Sequence, residues 1–177
     1  CEGLVGSEMC IRDRHQVFNV VRRKIKTQTV LGLRRTDGQW QWQLEEGVLV
    51  VRVDQFLDET PSDLRSVIDD HPEATGLVLD LRSNPGGSLS AAVETCNLFL
   101  NAGVVVEIRN RKEVEAIFEA QSETATDLPM VVLVNEGSAS ASEIIAGALQ
   151  FHQRANVMGR RTYGKGSVQK IRDFGEG

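Results

Sequence analysis

Short apolar runs alternate with segments of helical periodicity along most of this chain, and this alternation limits the folds open to it. Helices are predicted at residues 61–70, 89–100 and 140–150, and the apolar runs lie at residues 76–81, 104–108, 130–134 and 156–158. Strands that are connected through helices pair in parallel, and parallel strands are buried on both faces, so they read as nearly continuous apolar runs. The pattern predicts an α/β fold with a layered core of parallel strands and helices.

Residues 29–54, which precede this region, show a different pattern. Apolar and polar residues alternate there, and turn sequences occur at residues 36–38 and 45–47. This combination predicts an N-terminal β-meander. Trp40 and Trp42 fall on one face of its middle strand, where aromatic side chains pack in a core or an interface more often than they bind a ligand.

The composition excludes several classes of protein. The 177 residues are 41% hydrophobic and 25% charged, which are the proportions of a globular chain rather than of a disordered one. No apolar run approaches the roughly 18 residues of a membrane span. The net charge is -5, and the 20 basic residues are mostly scattered, so a nucleic-acid-binding surface is not expected.

The N-terminal residues differ in character from the rest of the chain. Residues 7–14 resemble a translation of the transposon end sequence that is used to prepare sequencing libraries. We therefore expect residues 1–14 to be non-native and leave them out of the fold prediction. Because Cys1 and Cys10 fall in this segment, Cys96 remains alone, and neither an intrachain disulfide nor a paired-cysteine metal site is expected.

The sequence Asn84-Pro85-Gly86-Gly87 lies between an apolar run and a predicted helix. Proline at the second position and glycine at the third are the residues that a type II turn requires. A turn alone explains the motif. Alternatively, a glycine at the carboxyl edge of the sheet allows its backbone N–H to face a ligand or a developing oxyanion.

Ser140 is the candidate nucleophile, because it lies between an apolar strand and an apolar helix and has small neighbours. Ser140 and Glu143 also have the spacing of a capping box, which is the purely structural interpretation. The chemical interpretation is that the N–H of Ala141, at the start of the helix, stabilises an oxyanion. Ser138 and Ser142 are weaker candidates.

A serine nucleophile needs a base, and the histidines are poorly placed to supply one. His152 is 12 residues from Ser140 on the same predicted helix, about 18 Å along its axis. His15 and His71 are interpreted as surface residues. Lys165 lies between two glycines after a short strand. A lysine acts as a base when burial lowers its pKa from about 10.4 to roughly 7–8, so a base at this position is expected to be buried.

A second motif overlaps Lys165. Residues 159–165 match the spacing of a phosphate-binding loop as far as its lysine. Gly166 then stands where such a loop needs a serine or threonine to bind magnesium, so nucleotide binding is not expected.

Three segments together resemble the C-terminal processing (tail-specific) peptidases, the S41 family of serine proteases with a Ser/Lys catalytic pair. The resemblance covers about residues 17–171, and it is carried by residues 76–87, 134–144 and 159–169. It implies a ClpP/crotonase-like core in which Ser140 is the nucleophile and Lys165 the general base. It further implies that Gly86 and Ala141 donate N–H groups to the oxyanion, and that Gln169 orients the lysine.

The resemblance also implies acyl-enzyme chemistry without a cofactor or a metal. Its substrates would be proteins or peptides with free C-terminal tails, selected by a PDZ domain, and its location would be periplasmic or otherwise extracytoplasmic. On this basis residues 15–27 are expected to be the end of a PDZ domain, and residues 28–177 a catalytic core truncated at its C-terminus. The oligomeric state stays open. The alternative is a non-catalytic binding module on the same fold.

Overall fold

A computed structural model describes residues 4–11, 14–21, 27–42, 45–121 and 123–168. The α-helices are α1 (Thr60–Asp69), α2 (Leu89–Asn97) and α3 (Ala141–Phe151). The strands are β1 (Leu4–Ile11), β2 (Arg14–Val21), β3 (Val30–Leu31), β4 (Arg34–Thr36), β5 (Gln39–Gln41), β6 (Val48–Val53), β7 (Gly76–Asp80), β8 (Val104–Arg109), β9 (Val114–Glu119), β10 (Met130–Val134) and β11 (Asn156–Gly159).

The main sheet has five strands in the order β11-β10-β7-β6-β3. Neighbours from β11 to β6 are parallel, and β3 is antiparallel to β6. Between β6 and β7 the chain passes through α1, between β7 and β10 through α2, and between β10 and β11 through α3. The predicted α/β fold with a parallel sheet is confirmed.

The helices pack their apolar faces on the sheet and on one another. The core that they share with the strands contains, among other side chains, Leu64 of α1, Cys96 of α2, Ile145 of α3, Leu79 of β7 and Val132 of β10. Each of these side chains is fully buried. The helix predictions at residues 61–70, 89–100 and 140–150 are confirmed, except that α2 ends earlier, at Asn97.

The sequence predicted that the apolar run at residues 104–108 is a strand of the parallel sheet, and this prediction is wrong. The run forms β8, which pairs antiparallel with β9 in a hairpin. The sequence pattern does not predict β9. Val105 is buried at the base of the hairpin. An apolar strand of this length looks the same in a hairpin and in a parallel sheet, because the partner strand is chosen by contacts distant in sequence.

The strands predicted at residues 29–54 are present, with a different pairing. β4 and β5 form a hairpin whose turn residues Asp37 and Gly38 both have positive φ, as a type I′ turn requires. β6 pairs with β3 and β7 instead of continuing a meander. Trp42 packs against the core, as expected for an aromatic residue on this face.

β1 and β2 form an antiparallel hairpin. β1 lies within residues 1–14, and β2 begins at Arg14 and continues into residues 15–27. The assignment of residues 1–14 as non-native and of residues 15–27 as the end of a PDZ domain stays a prediction. Within the described ranges, no helix combines the length and the apolar character needed to cross a membrane.

Candidate active site

The candidate site lies where β7 and β10 end, at the carboxyl edge of the parallel sheet. The chain after β7 carries Asn84 and Gly86, and the chain after β10 leads to Ser140 at the start of α3. Open α/β sheets place their functional loops at this edge. The topology therefore brings together the two motifs that the sequence singled out.

Ser140 occupies a sharp turn from the β10 loop into α3. Its φ is 55° and its ψ is -114°, a conformation that a residue other than glycine adopts at a cost of roughly 1–3 kcal/mol. A strained serine between a strand and a helix is the arrangement of a nucleophile elbow, which exposes the hydroxyl above the sheet. The Ser140 side chain is half-buried and lines a cleft.

Gly86 packs directly against this elbow. Its φ is +101°, and a Cβ added to it would lie 2.7 Å from the Ala139 oxygen and 2.9 Å from both the Ala141 nitrogen and the Ser140 Cβ. Such distances are too short for any side chain, so glycine is required here both for conformation and for space. Gly86, Ser140 and Ala141 are thus adjacent, as the sequence predicted.

The state of the Gly86 N–H differs from the expectation. The family resemblance implies that this N–H donates to the oxyanion, whereas here it donates to Asn84 Oδ1 at 2.8 Å. Gly87 is the glycine of this turn that lines the cleft with Ser140. Gly87 forms a parallel β-bridge with Phe56: the Phe56 N–H donates to the Gly86 carbonyl, and the Ser88 N–H donates to the Phe56 carbonyl. In such a bridge the N–H of Gly87 itself points away from Phe56.

Asn84 holds the two loops in place. It is completely buried, and its Nδ2 donates to the Val53 carbonyl at 2.7 Å. Its backbone carbonyl accepts the Ala139 N–H at 3.0 Å and the Ser142 hydroxyl at 3.0 Å. The sequence indicates only a turn at Asn84, because the partners of this residue lie on three different parts of the chain.

Ser138 and Ser142 are excluded as nucleophiles in this conformation. Both are completely buried. The Ser138 hydroxyl donates to the Leu81 carbonyl at 2.7 Å and accepts the Asn135 N–H at 3.0 Å. Their roles are structural.

Glu143 connects the elbow to the segment that carries Lys165. Its carboxylate accepts the backbone N–H groups of Ser140 at 2.8 Å, Gly164 at 2.6 Å and Lys165 at 2.9 Å. Burial opposes its charge, but hydrogen bonds from the Thr162 side chain and these backbone groups outweigh it and lower the pKa of Glu143. The capping-box spacing pointed to the bond with Ser140, but nothing in it indicated the bonds to residues 162–165.

A second acidic group, Asp80 at the end of β7, is paired with Arg82. The Arg82 side chain contacts both carboxylate oxygens, at 2.8 and 2.6 Å, and its backbone N–H donates to Oδ1 at 3.0 Å. Burial of Asp80 opposes its charge, and these hydrogen bonds, followed by the charges of Arg82 and Arg52, leave its pKa below the usual value. The pair lies at the start of the loop that carries Gly86.

Lys165 lines the same cleft as Ser140. The expectation that it would be buried is wrong for this structure, because its side chain is exposed. Residues 160–168 run along the surface without regular secondary structure, so the backbone there covers little of the lysine. Gln169 lies outside the described residues, and its orienting role stays a prediction.

His71 and His152 are engaged elsewhere. A His152 ring nitrogen lies 2.8 Å from the Val104 carbonyl oxygen, and one of His71 lies 2.7 Å from the Val67 carbonyl oxygen. In the described part of the chain, no three His, Cys, Asp or Glu residues form a group that could hold a metal.

The cleft has two connected parts. The smaller, about 230 Å³, is lined mainly by small and aliphatic residues, including Gly87, Leu89, Ala141 and Val168. The larger, about 630 Å³, extends from Ser140 along the hairpin of β8 and β9. Ser140 and Lys165 line both parts.

Residues 47–177 match the model of Peptidase family S41. The chain belongs to this peptidase family. The S41 chain is 44% identical over 144 residues to the carboxy-terminal-processing protease of Bartonella bacilliformis, and the match covers 77% of this chain and 33% of the relative. It is 42% identical over 134 residues to the carboxyl-terminal-processing protease of Synechocystis sp., covering 75% of this chain and 31% of the relative.

The structural comparison agrees with this assignment. The solved structure of a photosystem II D1 C-terminal processing protease matches with a TM-score of 0.71 at 29% identity, covering 90% of this S41 chain and 43% of that chain. The family and fold that the sequence resemblance implied are therefore confirmed. The S41 chain spans about a third of the length of these curated relatives.

Proposed function

We propose that this chain supplies the catalytic core of a serine endopeptidase that cleaves proteins at or near their C-terminal tails. One observation carries the proposal: Ser140 sits on a strained elbow, and Lys165 lines the same cleft on a segment tied to that elbow through Glu143. The curated relatives are named for carboxy-terminal processing, which supports the choice of substrate.

In the proposed reaction, Ser140 Oγ attacks the carbonyl carbon of a peptide bond while the neutral Lys165 amine accepts the hydroxyl proton. The tetrahedral intermediate collapses, the C–N bond breaks, and Lys165 returns the proton to the leaving amine. Water then attacks the acyl-enzyme ester. Lys165 takes a proton from this water and passes it to Ser140 as the second product leaves.

The oxyanion would be stabilised by backbone N–H groups around the elbow. The Ala141 N–H belongs to the first turn of α3, where helical N–H groups lack intrahelical partners. The second donor would come from the glycine turn. Gly86 can supply it if its N–H leaves Asn84, and Gly87 supplies it without that change.

Because Lys165 is exposed, we propose that the bound substrate itself shields the lysine amine from water. A peptide that fills the cleft would remove water from the lysine amine, and desolvation favours the neutral form that accepts a proton. We further propose, from the family resemblance alone, that the protein acts outside the cytoplasm.

The test is cleavage of an unfolded protein with a free C-terminus. Ser140→Ala and Lys165→Ala should each lower kcat by at least about a thousandfold. Ser66→Ala and Lys112→Ala are matched controls, since both residues are exposed and neither lines the cleft. An inert wild type, or a Lys165→Ala variant that still cuts at neutral pH, would refute the Ser/Lys mechanism. An inert wild type that binds peptides would favour the non-catalytic module.

A further inference from the structure

The hairpin of β8 and β9 walls the larger part of the cleft. Its lining includes Glu107 and Arg109 of β8 and Glu115 of β9, facing the same space as Ser140 and Lys165. These three charged side chains take no part in the reaction proposed above. They lie instead where the residues of a peptide next to the scissile bond would pass.

The hairpin is closed by hydrogen bonds at both ends and is anchored to α3 at its base. At its base, the Ala120 N–H donates to the Gly103 carbonyl at 2.8 Å, and a His152 ring nitrogen lies 2.8 Å from the Val104 carbonyl oxygen. At its tip, the Asn110 N–H donates to the Glu113 carbonyl at 3.0 Å. This wall of the cleft is therefore formed before a peptide arrives, which reduces the entropy that binding must overcome.

The charged side chains on this wall differ in their exposure. Arg109 makes two hydrogen bonds to the carboxylate of Glu107, at 2.7 and 2.9 Å. The Glu107 side chain is 28% exposed and that of Arg109 is 68% exposed, so the guanidinium is the more accessible partner. The Glu115 carboxylate accepts a hydrogen bond from Asn110 at 3.1 Å. Within this ion pair, a peptide in the cleft would meet the guanidinium of Arg109 before the carboxylate of Glu107, whereas the Glu115 carboxylate is exposed in its own right.

The backbone of β8 is suited to an extended peptide. Among the described strands, β8 pairs with β9 alone, so no other described strand takes up main-chain hydrogen bonds along its second edge. An open edge binds an extended peptide through main-chain hydrogen bonds, while side chains of the strand select the residues of that peptide.

We propose that Arg109 is a specificity determinant that favours acidic over basic side chains next to the scissile bond. This inference rests on the proposed function, since it requires that Ser140 cleaves peptides in this cleft.

The test compares two sets of peptides that differ by a single residue, Glu or Lys, placed in turn at each position flanking the scissile bond. The full-length native protein is used. For each pair of peptides, the value of kcat/KM for the Glu peptide is divided by the value for the Lys peptide. At one position the wild type should prefer the Glu peptide. Arg109→Glu should lower that ratio by about tenfold and raise kcat/KM for the Lys peptide.

Arg111→Glu is the matched control, because it makes the same charge change on the same hairpin at an exposed residue outside the cleft lining. It should leave the ratio within about twofold of the wild-type value. A merely structural role for Arg109 would lower both rates equally, and an unchanged ratio in Arg109→Glu overturns the inference. A wild type that cleaves none of the peptides overturns the proposed function and this inference with it.

Discussion

Replacing Asn84 with alanine should destabilise the protein far more than the loss of one turn residue normally would. The Asn84 side chain donates to the Val53 carbonyl at 2.7 Å and accepts the Gly86 N–H at 2.8 Å. Asn84 is completely buried, so water cannot replace either bond without reorganisation of the loops. The substitution leaves a backbone carbonyl and a backbone N–H without partners in the interior.

The expected magnitude follows from these two groups. A buried polar group that loses its partner costs about 1–3 kcal/mol, so Asn84→Ala should lower the free energy of unfolding by roughly 2–6 kcal/mol. That is a large part of the 5–15 kcal/mol typical of a domain. Asn84→Asp should be at least as harmful at neutral pH, because it retains an acceptor for Gly86 but places an oxygen against the Val53 carbonyl.

Urea unfolding measures this difference directly. The matched control is Asn110→Ala, since the Asn110 side chain also makes two hydrogen bonds to backbone groups, accepting the N–H of Lys112 at 2.7 Å and that of Glu113 at 2.9 Å. Asn110 is exposed, so water can bond the freed groups and the loss should be about 1 kcal/mol or less. If Asn84→Ala is no more destabilising than Asn110→Ala, the role assigned to the buried asparagine is wrong.

Three further predictions concern other charged or titratable groups. Glu143→Gln should lower kcat by up to about a hundredfold in steady-state peptide cleavage, because an amide cannot accept all the N–H groups that position Lys165. Burial opposes the charge of Asp80, but the hydrogen bonds from Arg82 outweigh it and lower its pKa below the ordinary value. The carboxylate therefore adds stability above its unfolded-state pKa and loses this contribution as the pH falls through the lower folded-state pKa. Asp80→Asn should therefore reduce the difference between urea midpoints measured at about pH 7 and about pH 3. Burial raises the pKa of the Cys96 thiol to about 12, so mass spectrometry should detect no alkylation by iodoacetamide at about pH 8 until urea unfolds the protein.

Each of these predictions has an outcome that contradicts it. Wild-type kcat in Glu143→Gln would show that the carboxylate does not position the lysine segment. An unchanged acid dependence in Asp80→Asn would mean that its pairing with Arg82 contributes nothing to stability. Rapid alkylation of Cys96 in the folded protein would contradict its burial.

The parts of the fold that could be predicted from sequence depend on local periodicity. Helices α1 and α3 and strands β7 and β10 each carry an apolar pattern that specifies their type and position. The choice of partner strand is not local, and for that reason β8 was assigned to the parallel sheet although it pairs with β9.

In the candidate site, too, features that depend on local sequence could be predicted and features that depend on contacts distant in sequence could not. The motifs around Gly86 and Ser140 placed these residues together correctly, since the carboxyl ends of neighbouring parallel strands meet at one edge of the sheet. The bond between Gly86 and Asn84, the bonds from Glu143 to the Lys165 segment and the exposure of Lys165 could not be predicted. They depend on how loops distant in sequence pack against one another, which periodicity does not encode.

The measurement that tests the central claim most directly is the capture of the acyl-enzyme. The native protein is mixed with a peptide ester, turnover is stopped with acid, and peptide mapping by mass spectrometry locates any bound acyl group. The account predicts an acyl group on Ser140 that accumulates in the wild type and is absent in Lys165→Ala. An acyl group on any other residue, or cleavage by the wild type without a covalent intermediate, would contradict it.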